Sequence, residues 1–295
     1  TISKNNGGGG NYGGDGIIAT IRSKEQIMSC VDEQGRLHVT PGVNSLMNAV
    51  YEAHNNGITE IFLLNGTHDE KRNIVKIRIP ISIIGESREH CIVMGGLDLV
   101  VTDGDGNYEE DDVNVQDLTL RKSKGHGIYG NRGFSIHLDN VSVENSGDCG
   151  VIVRHTQRNT MKNCNVSHSK CSGVSVGWRS LMTINGNGTT IHHNCTNEDS
   201  ESDSSDQDSD RNNGHYGLYT SVYSSIHLAS SLTIETIVTN NGGGGNYGGE
   251  GTIAIVDHHL YKIWWKSGGA VPVDNEGTII KTIQEGTKYD SEGDY

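Results

Sequence analysis

The sequence predicts an all-β chain wound as a parallel solenoid with coils of about 23 residues. Three observations lead there. A phrase of polar turn, glycine and alternating apolar residues recurs as Gly-His-Gly-Ile-Tyr (125–129), Cys-Gly-Val-Ile-Val (149–153) and Ser-Gly-Val-Ser-Val (172–176). Its anchors Gly127, Gly150 and Gly173 are 23 residues apart, and a fourth copy at 216–220 follows 44 residues later. Apolar columns repeat at the same step, as Leu118, Val141 and Cys164, and two residues on as Leu120, Val143 and Val166. Finally, each copy holds short β-type runs broken by Gly, Asn and Ser, with no helix-length apolar stripe. Such a unit buries its apolar side chains only by stacking on its neighbour, with strands about 4.8 Å apart.

The turns repeat too. Asn140 aligns with Asn163 and Asn145 with His168, and across Gly186–Gly188 His168 continues to His193. Stacked Asn side chains at such turns bond one another and the backbone, a structural role. The 40 glycines concentrate at turns, where positive φ is expected.

In chain order, residues 1–42 are a Gly-rich strand segment and 43–75 a capping helix with the first strand. Residues 76–256 are the coils, and 257–295 a C-terminal cap and tail. The segment Thr1–Ala19 is repeated at Thr236–Ala254 with four differences. It reads as strand, glycine turn, strand. The duplicate either closes each end of the solenoid or presents Tyr12 and Tyr247 to a ligand. It lacks the Lys-Ser/Thr of a phosphate loop. Thr40-Pro41 predicts a helix start with Pro at its first position. Leu46, Met47, Val50 and Ala53 give that helix one apolar face, and Gly57 stops it. It plugs the open end of the stack, where bare strand edges invite aggregation.

In 102–112, Asp103, Asp105 and Asn107 alternate as oxygen ligands do in a calcium loop, but Tyr108 and Asn114 replace the Gly and Glu of an EF-hand. The stretch is either a looser Ca²⁺ or Mg²⁺ site or a solvated acidic loop; no other cofactor is called for. Residues 198–210 hold seven carboxylates and no base, and predict a mobile loop. Trp264 and Trp265 either cover the C-terminal end or stack on a sugar or partner.

These residues resemble the right-handed parallel β-helix of the pectin-lyase-like superfamily. Ile81-Ser-Ile-Ile-Gly-Glu-Ser87 with Cys91-Ile-Val93 is similar to an early coil, and 46–66 to its N-terminal cap. The resemblance covers roughly 43–256 and implies the fold; that fold hosts many activities. Gly125-His-Gly127 resembles the Gly-His-Gly of polygalacturonases. However, Asp103, Asp111 and His126 fall within one stretch rather than on stacked coils, and no Arg-Ile-Lys follows. The motif is more simply a coil turn.

The net charge of −14 argues against nucleic acid and anionic membrane as main partners. No run is apolar enough to cross a membrane, and none has the form of a signal peptide. Thr1 in place of Met is compatible with processing. A polysaccharide or protein partner and homo-oligomerisation stay open. Cys164 reads as a buried hydrophobe, and a Cys149–Cys171 bridge is geometrically conceivable. The adjacent pairs His192-His193 and His258-His259 point oppositely along a strand, which argues against a shared metal.

Arg154, His155 and Arg158 lie near one turn, with Arg132 and Arg179 in neighbouring coils. A lyase needs a base and neutralisation of a uronate, so Arg154, His155, Arg132 and Arg179 are the catalytic candidates; solvated turn charges are the alternative. Two functions follow. One is a non-catalytic structural or glycan-contacting module, in line with β-helix modules known on virions and cell surfaces. The other is a lyase or glycoside hydrolase acting on an acidic glycan.

Overall fold

The computed structural model describes residues 30–99, 110–195, 215–256 and, for the backbone alone, 279–284. They form a parallel β-solenoid of about eight turns, with coils of about 24 residues. The first turn holds β1 (Leu37–Val39), β2 (Gly42–Val43) and the helix α1 (Ser45–Asn56). The second holds β3 (Glu60–Leu63), β4 (Gly66–Asp69) and β5 (Ile74–Ile77), and the third β6 (Ile81–Gly85), β7 (Cys91–Val93) and β8 (Gly96–Leu99). Next come β9 (Asp111–Gln116), β10 (Thr119–Arg121) and β11 (Ile128–Asn131), then β12 (Phe134–Asp139), β13 (Ser142–Glu144) and β14 (Val151–Arg154). The sixth turn is β15 (Asn159–Lys162), β16 (Asn165–Ser167) and β17 (Val174–Gly177). The seventh is β18 (Leu181–Asn185), β19 (Thr190–His192) and β20 (Tyr216–Thr220). The last contains β21 (Ser225–Ala229), the short helix α2 (Ile234–Ile237), β22 (Val238–Thr239) and β23 (Gly245–Gly249). After it, β24 (Thr252–Val256) pairs with β21, and β25 (Ile279–Gln284) closes that sheet antiparallel.

Each turn after the first gives one strand to each of three sheets. The first runs from β1 to β25, the second from β2 to β22, the third from β5 to β23. The predicted rows are in place: Val143 pairs with Val166, and the row continues Val93, Leu120, Val143, Val166, Ile191, Val238. A second inward row is Ile61, Ile83, Val115, Leu138, Met161, Ile184 and Leu228. The third sheet contributes Val75, Leu97, Ile128, Val151, Val174 and Leu218. All these side chains are buried, each stabilising the stack by about 1.5–3 kcal/mol relative to exposure. Cys164 is buried in line with Leu118 and Val141.

α1 takes the place of a third-sheet strand in the first turn. Its buried face is Leu46, Ala49, Val50 and Ala53, and it contacts β1, β3, β4 and β5. Pro41 does not begin it: Gly42 and Val43 pair with His68 and Asp69 first, so the helix waits until Ser45.

The anchoring glycines serve a different purpose from the predicted one. Gly127, Gly150, Gly173 and Gly217 do not have positive φ. A Cβ on Gly127 would lie 2.6 Å from the carbonyl oxygen of Gly150, and one on Gly150 2.6 Å from that of Gly173. These glycines let successive coils approach. Positive φ belongs mainly to non-glycine residues at the three corners. Asp117, Asn140 and Asn163 form one such column; Lys122, Asn145, His168, His193 and Asn240 form the second; Arg132, His155, Trp178, Arg179 and Tyr223 form the third.

The Gly-rich repeat is likewise more than a turn. Gly245–Gly249 is a strand paired with β20. Gly244 and Gly248 lie against the Tyr216 ring, which any side chain there would strike. The copy at 1–19, the acidic run at 198–210 and the His258-His259 pair lie outside the described residues. No helix among the described residues is long and apolar enough to cross a membrane.

Candidate functional site

The third corner, between the third and first sheets, gathers the four catalytic candidates. Asn131 pairs with Arg154 and Arg154 with Gly177. Arg132, His155 and Trp178 therefore form the next column, held by backbone bonds from Arg132 N–H to Arg154 O and from His155 N–H to Trp178 O. His155 packs on Trp178 with ring centroids 5.4 Å apart. The Arg154 guanidinium lies over Tyr129 at 5.8 Å, and that of Arg179 over Tyr223 at 5.7 Å. Trp178 is 51% exposed and Tyr223 59%. Left-handed backbone costs a bulky residue about 1–2 kcal/mol, yet this corner spends it on Arg, His, Trp and Tyr, turning large side chains outward. His155 is shifted toward its neutral form, first by desolvation and then by the guanidiniums of Arg132, Arg154 and Arg179.

Arg158 does not share this surface. It is tied to Asp112 at 3.0 Å and to the backbone oxygen of Glu110. Asp112 also meets His137 at 2.9 Å, so these carboxylates are engaged in cross-coil bonds. Tyr247 sits elsewhere. It is in register with Leu218, on the core-facing row of the last rung, and is 40% exposed. Tyr12, Trp264, Trp265, Asp103, Asp105 and Asn107 lie outside the described residues.

A second cluster lies at the other end of the third-sheet strands, in the turns that enter β11, β14, β17 and β20. A ring nitrogen of His126, a carboxylate oxygen of Asp148 and Cys149 Sγ all lie within 4.8 Å of one another. His126 Nδ1 faces Asp148 Oδ2 at 3.4 Å. It is buried without a hydrogen-bond partner among the described residues, as are Asp98 Oδ1 and Ser123 Oγ. Cys171 lies in hydrogen-bonding reach of Cys149, His215 and Asp148. The bond from Cys149 lowers the Cys171 thiol to about 6 despite burial, with His215 assisting. The same pairing, then burial, pushes Cys149 up. His215 is raised by its bond to Cys171. Cys149 and Cys171 are free thiols, so the conceivable bridge is a contact without a bond.

Sequence reasoning treated His126 as a coil turn and passed over His215 and Trp178. The missed signal was parity across turns. Cys149, Cys171 and His215 sit one or two residues before the anchoring glycines, so they gather at one corner. The same oversight affected His192 and His193. Their Nδ1 atoms are 2.8 Å apart, because the left-handed backbone of His193 breaks strand alternation. His193 also stacks on His168 at 5.4 Å.

No protein-family model matches the chain, and neither does any curated protein. Two solved structures are similar. ORF18 of Geobacillus virus E2 aligns at 9% identity and TM-score 0.44 over 77% of this chain. The alignment spans 62% of the viral chain, less than two thirds of its length. The A-module of mannuronan C-5 epimerase AlgE6 from Azotobacter vinelandii aligns at 12% identity and TM-score 0.22, over 72% of this chain and 93% of that one. The protein is a parallel β-helix by its own strand register; at these identities the likenesses extend no further than the fold.

Proposed function

We propose that this chain is a glycan-contacting β-helix that binds an acidic polysaccharide along its third corner, as a component of a virion or extracellular surface. The observation that carries the reading is the pairing of rings with guanidiniums, Arg154 with the half-buried Tyr129 and Arg179 with the exposed Tyr223, beside the His155–Trp178 stack. Aromatic faces suit the C–H surface of a sugar ring, and guanidinium forks suit its carboxylates. The overall charge of −14 makes a basic stripe selective for position rather than a general anion trap.

The test is calorimetric titration with uronate oligosaccharides and with uncharged glucans of equal length. Binding to the uronates alone is expected, weakened at least tenfold in Trp178→Ala and in Arg179→Gln. Equal binding of both glycans, or none of either, overturns the reading. A second reading, β-elimination on the same surface, draws support from the shift of His155 toward its neutral, base-competent form. It requires unsaturated product absorbing in the ultraviolet, lost in His155→Ala.

A further inference from the structure

We propose that the turns entering the third sheet hold a divalent transition-metal site, of the zinc class, formed by His126, Asp148, Cys149 and Cys171. The first three present ligand atoms within 4.8 Å of one another. Ligands bound at about 2.0–2.3 Å sit roughly 3.3–3.8 Å apart around a tetrahedral ion, so small rotamer shifts bring them to bonding distance. Cys171 stacks on the same corner one coil on, its N–H on the Asp148 carbonyl at 3.3 Å, and its thiol, beside Cys149, is the fourth donor of the proposed set.

An independent observation points into the same space. His126 Nδ1 is buried, unpartnered among the described residues, and 3.4 Å from the Asp148 carboxylate. A buried imidazole nitrogen with no hydrogen bond is costly; coordination would satisfy it. Asp98 Oδ1, on β8 of the preceding coil, and Ser123 Oγ, in the same turn as His126, are also buried without hydrogen-bond partners among the described residues. Asp98 acts electrostatically on His126, as an outer carboxylate does on a ligating histidine.

The donor set decides the metal. Two sulfurs, an imidazole and one carboxylate suit zinc and its neighbours in the first transition row. They do not suit calcium or magnesium, which require oxygen. The site adjoins the Arg154–Tyr129 pair, since His126 stacks on Tyr129 with ring centroids 5.5 Å apart, but its ligand atoms are its own and the proposal does not depend on the glycan reading. Its ligands come from three successive turns, so an ion there would cross-link coils in the way the absent Cys149–Cys171 bond does not.

The experiment is cobalt titration of the full, reduced, metal-free chain, followed by absorbance. One equivalent should give a thiolate-to-cobalt charge-transfer band, displaced by zinc. His126→Gln and Cys149→Ser should each weaken cobalt binding at least tenfold. His126 sits in a turn, so its variant keeps the test usable if the cysteine variant fails to fold. Cobalt binding without a charge-transfer band would place the ion on oxygen ligands and overturn the proposal. So would a band unaffected by His126→Gln, or no binding while both thiols react freely.

Discussion

The side-chain nitrogen of Asn194 donates to Oδ1 of Asn241, one coil on, at 3.0 Å. These two continue the inner column Ser123, Ser146, Ser169 at the second corner, where the step lengthens to admit the segment between Cys195 and His215. Asn194 is fully buried. Its Oδ1 accepts from Ser169 N–H at 3.0 Å, and its nitrogen also reaches the carbonyls of Val166 and His192. Asn194→Ala would strand an amide and its carbonyl partners in a buried corner. The expected loss is about 2–3 kcal/mol, since each unsatisfied buried group costs about 1–3 kcal/mol. Urea unfolding, with an unchanged slope, measures it.

The glycine columns separate two reasons for glycine. On Gly150, a Cβ would lie 2.6 Å from the Gly173 carbonyl oxygen and 2.9 Å from Ser169 Oγ. On Gly130, the nearest atoms are at 3.6 Å or more, and φ is not positive. Gly150→Ala should therefore destabilise by about 1–3 kcal/mol, as overpacking does. Gly130→Ala should be neutral or stabilising by up to about 1 kcal/mol, through the unfolded chain. Paired thermal melts distinguish the two. Equal losses would mean that backbone freedom, not coil spacing, selects these glycines.

The rows of the solenoid were legible because strand periodicity survives stacking. Val143 and Val166 share a parity that their 23-residue separation preserves, and the register places them side by side. The corners were less legible. There a single left-handed residue, such as His193 or Trp178, reverses which way its neighbours point. A side chain's direction then depends on φ, which the residue type suggests for Asn but not for Trp, Arg or Tyr. Hence the arginines of the third corner were found by charge, while the rings between them were not. The His126 cluster was missed for a related reason: its members sit on successive coils, with 22 residues from His126 to Asp148, 22 from Cys149 to Cys171 and 44 from Cys171 to His215, and only their shared offset from the anchoring glycines brings them together.

His227 should make the protein acid-sensitive. Its ring is buried on β21, and burial pushes it down to about 4. Between about pH 6.5 and 4 the unfolded chain binds a proton that the folded chain refuses. Stability contributed by the neutral ring is therefore present above pH 6.5 and lost as pH falls toward 4. The expected loss is on the order of 3 kcal/mol. His227→Leu should flatten the stability profile over that range, as followed by urea midpoints at half-unit intervals. A variant as acid-sensitive as the parent would move the cause elsewhere.

Glu70 should hold the end of the solenoid closed. The N-cap residue of α1 is Asn44, whose side chain makes no cap bond. Instead Glu70, buried in the second turn, accepts from the backbone N–H of Leu46 at 2.8 Å and of Met47 at 3.4 Å. A carboxylate at a helix N-terminus answers both the orphan donors and the dipole. Burial raises its pKa, and the two N–H groups pull it back only in part. By sign, a raised carboxylate favours the folded state below its unfolded pKa, and that contribution is lost as pH rises through the folded value. Glu70→Ala should nonetheless cost about 1–3 kcal/mol at neutral pH, because it leaves the buried donor of Leu46 and the half-buried donor of Met47 without that acceptor. Glu70→Gln, which keeps one acceptor oxygen, should lose less and should remove the pH-dependent part. Amide exchange localises the effect: protection should fall over 45–56 and along β5, whose free edge the helix covers, before it falls in the central coils. Uniform loss along the chain would mean that the helix and coils unfold as one unit, with no separate closure at this end.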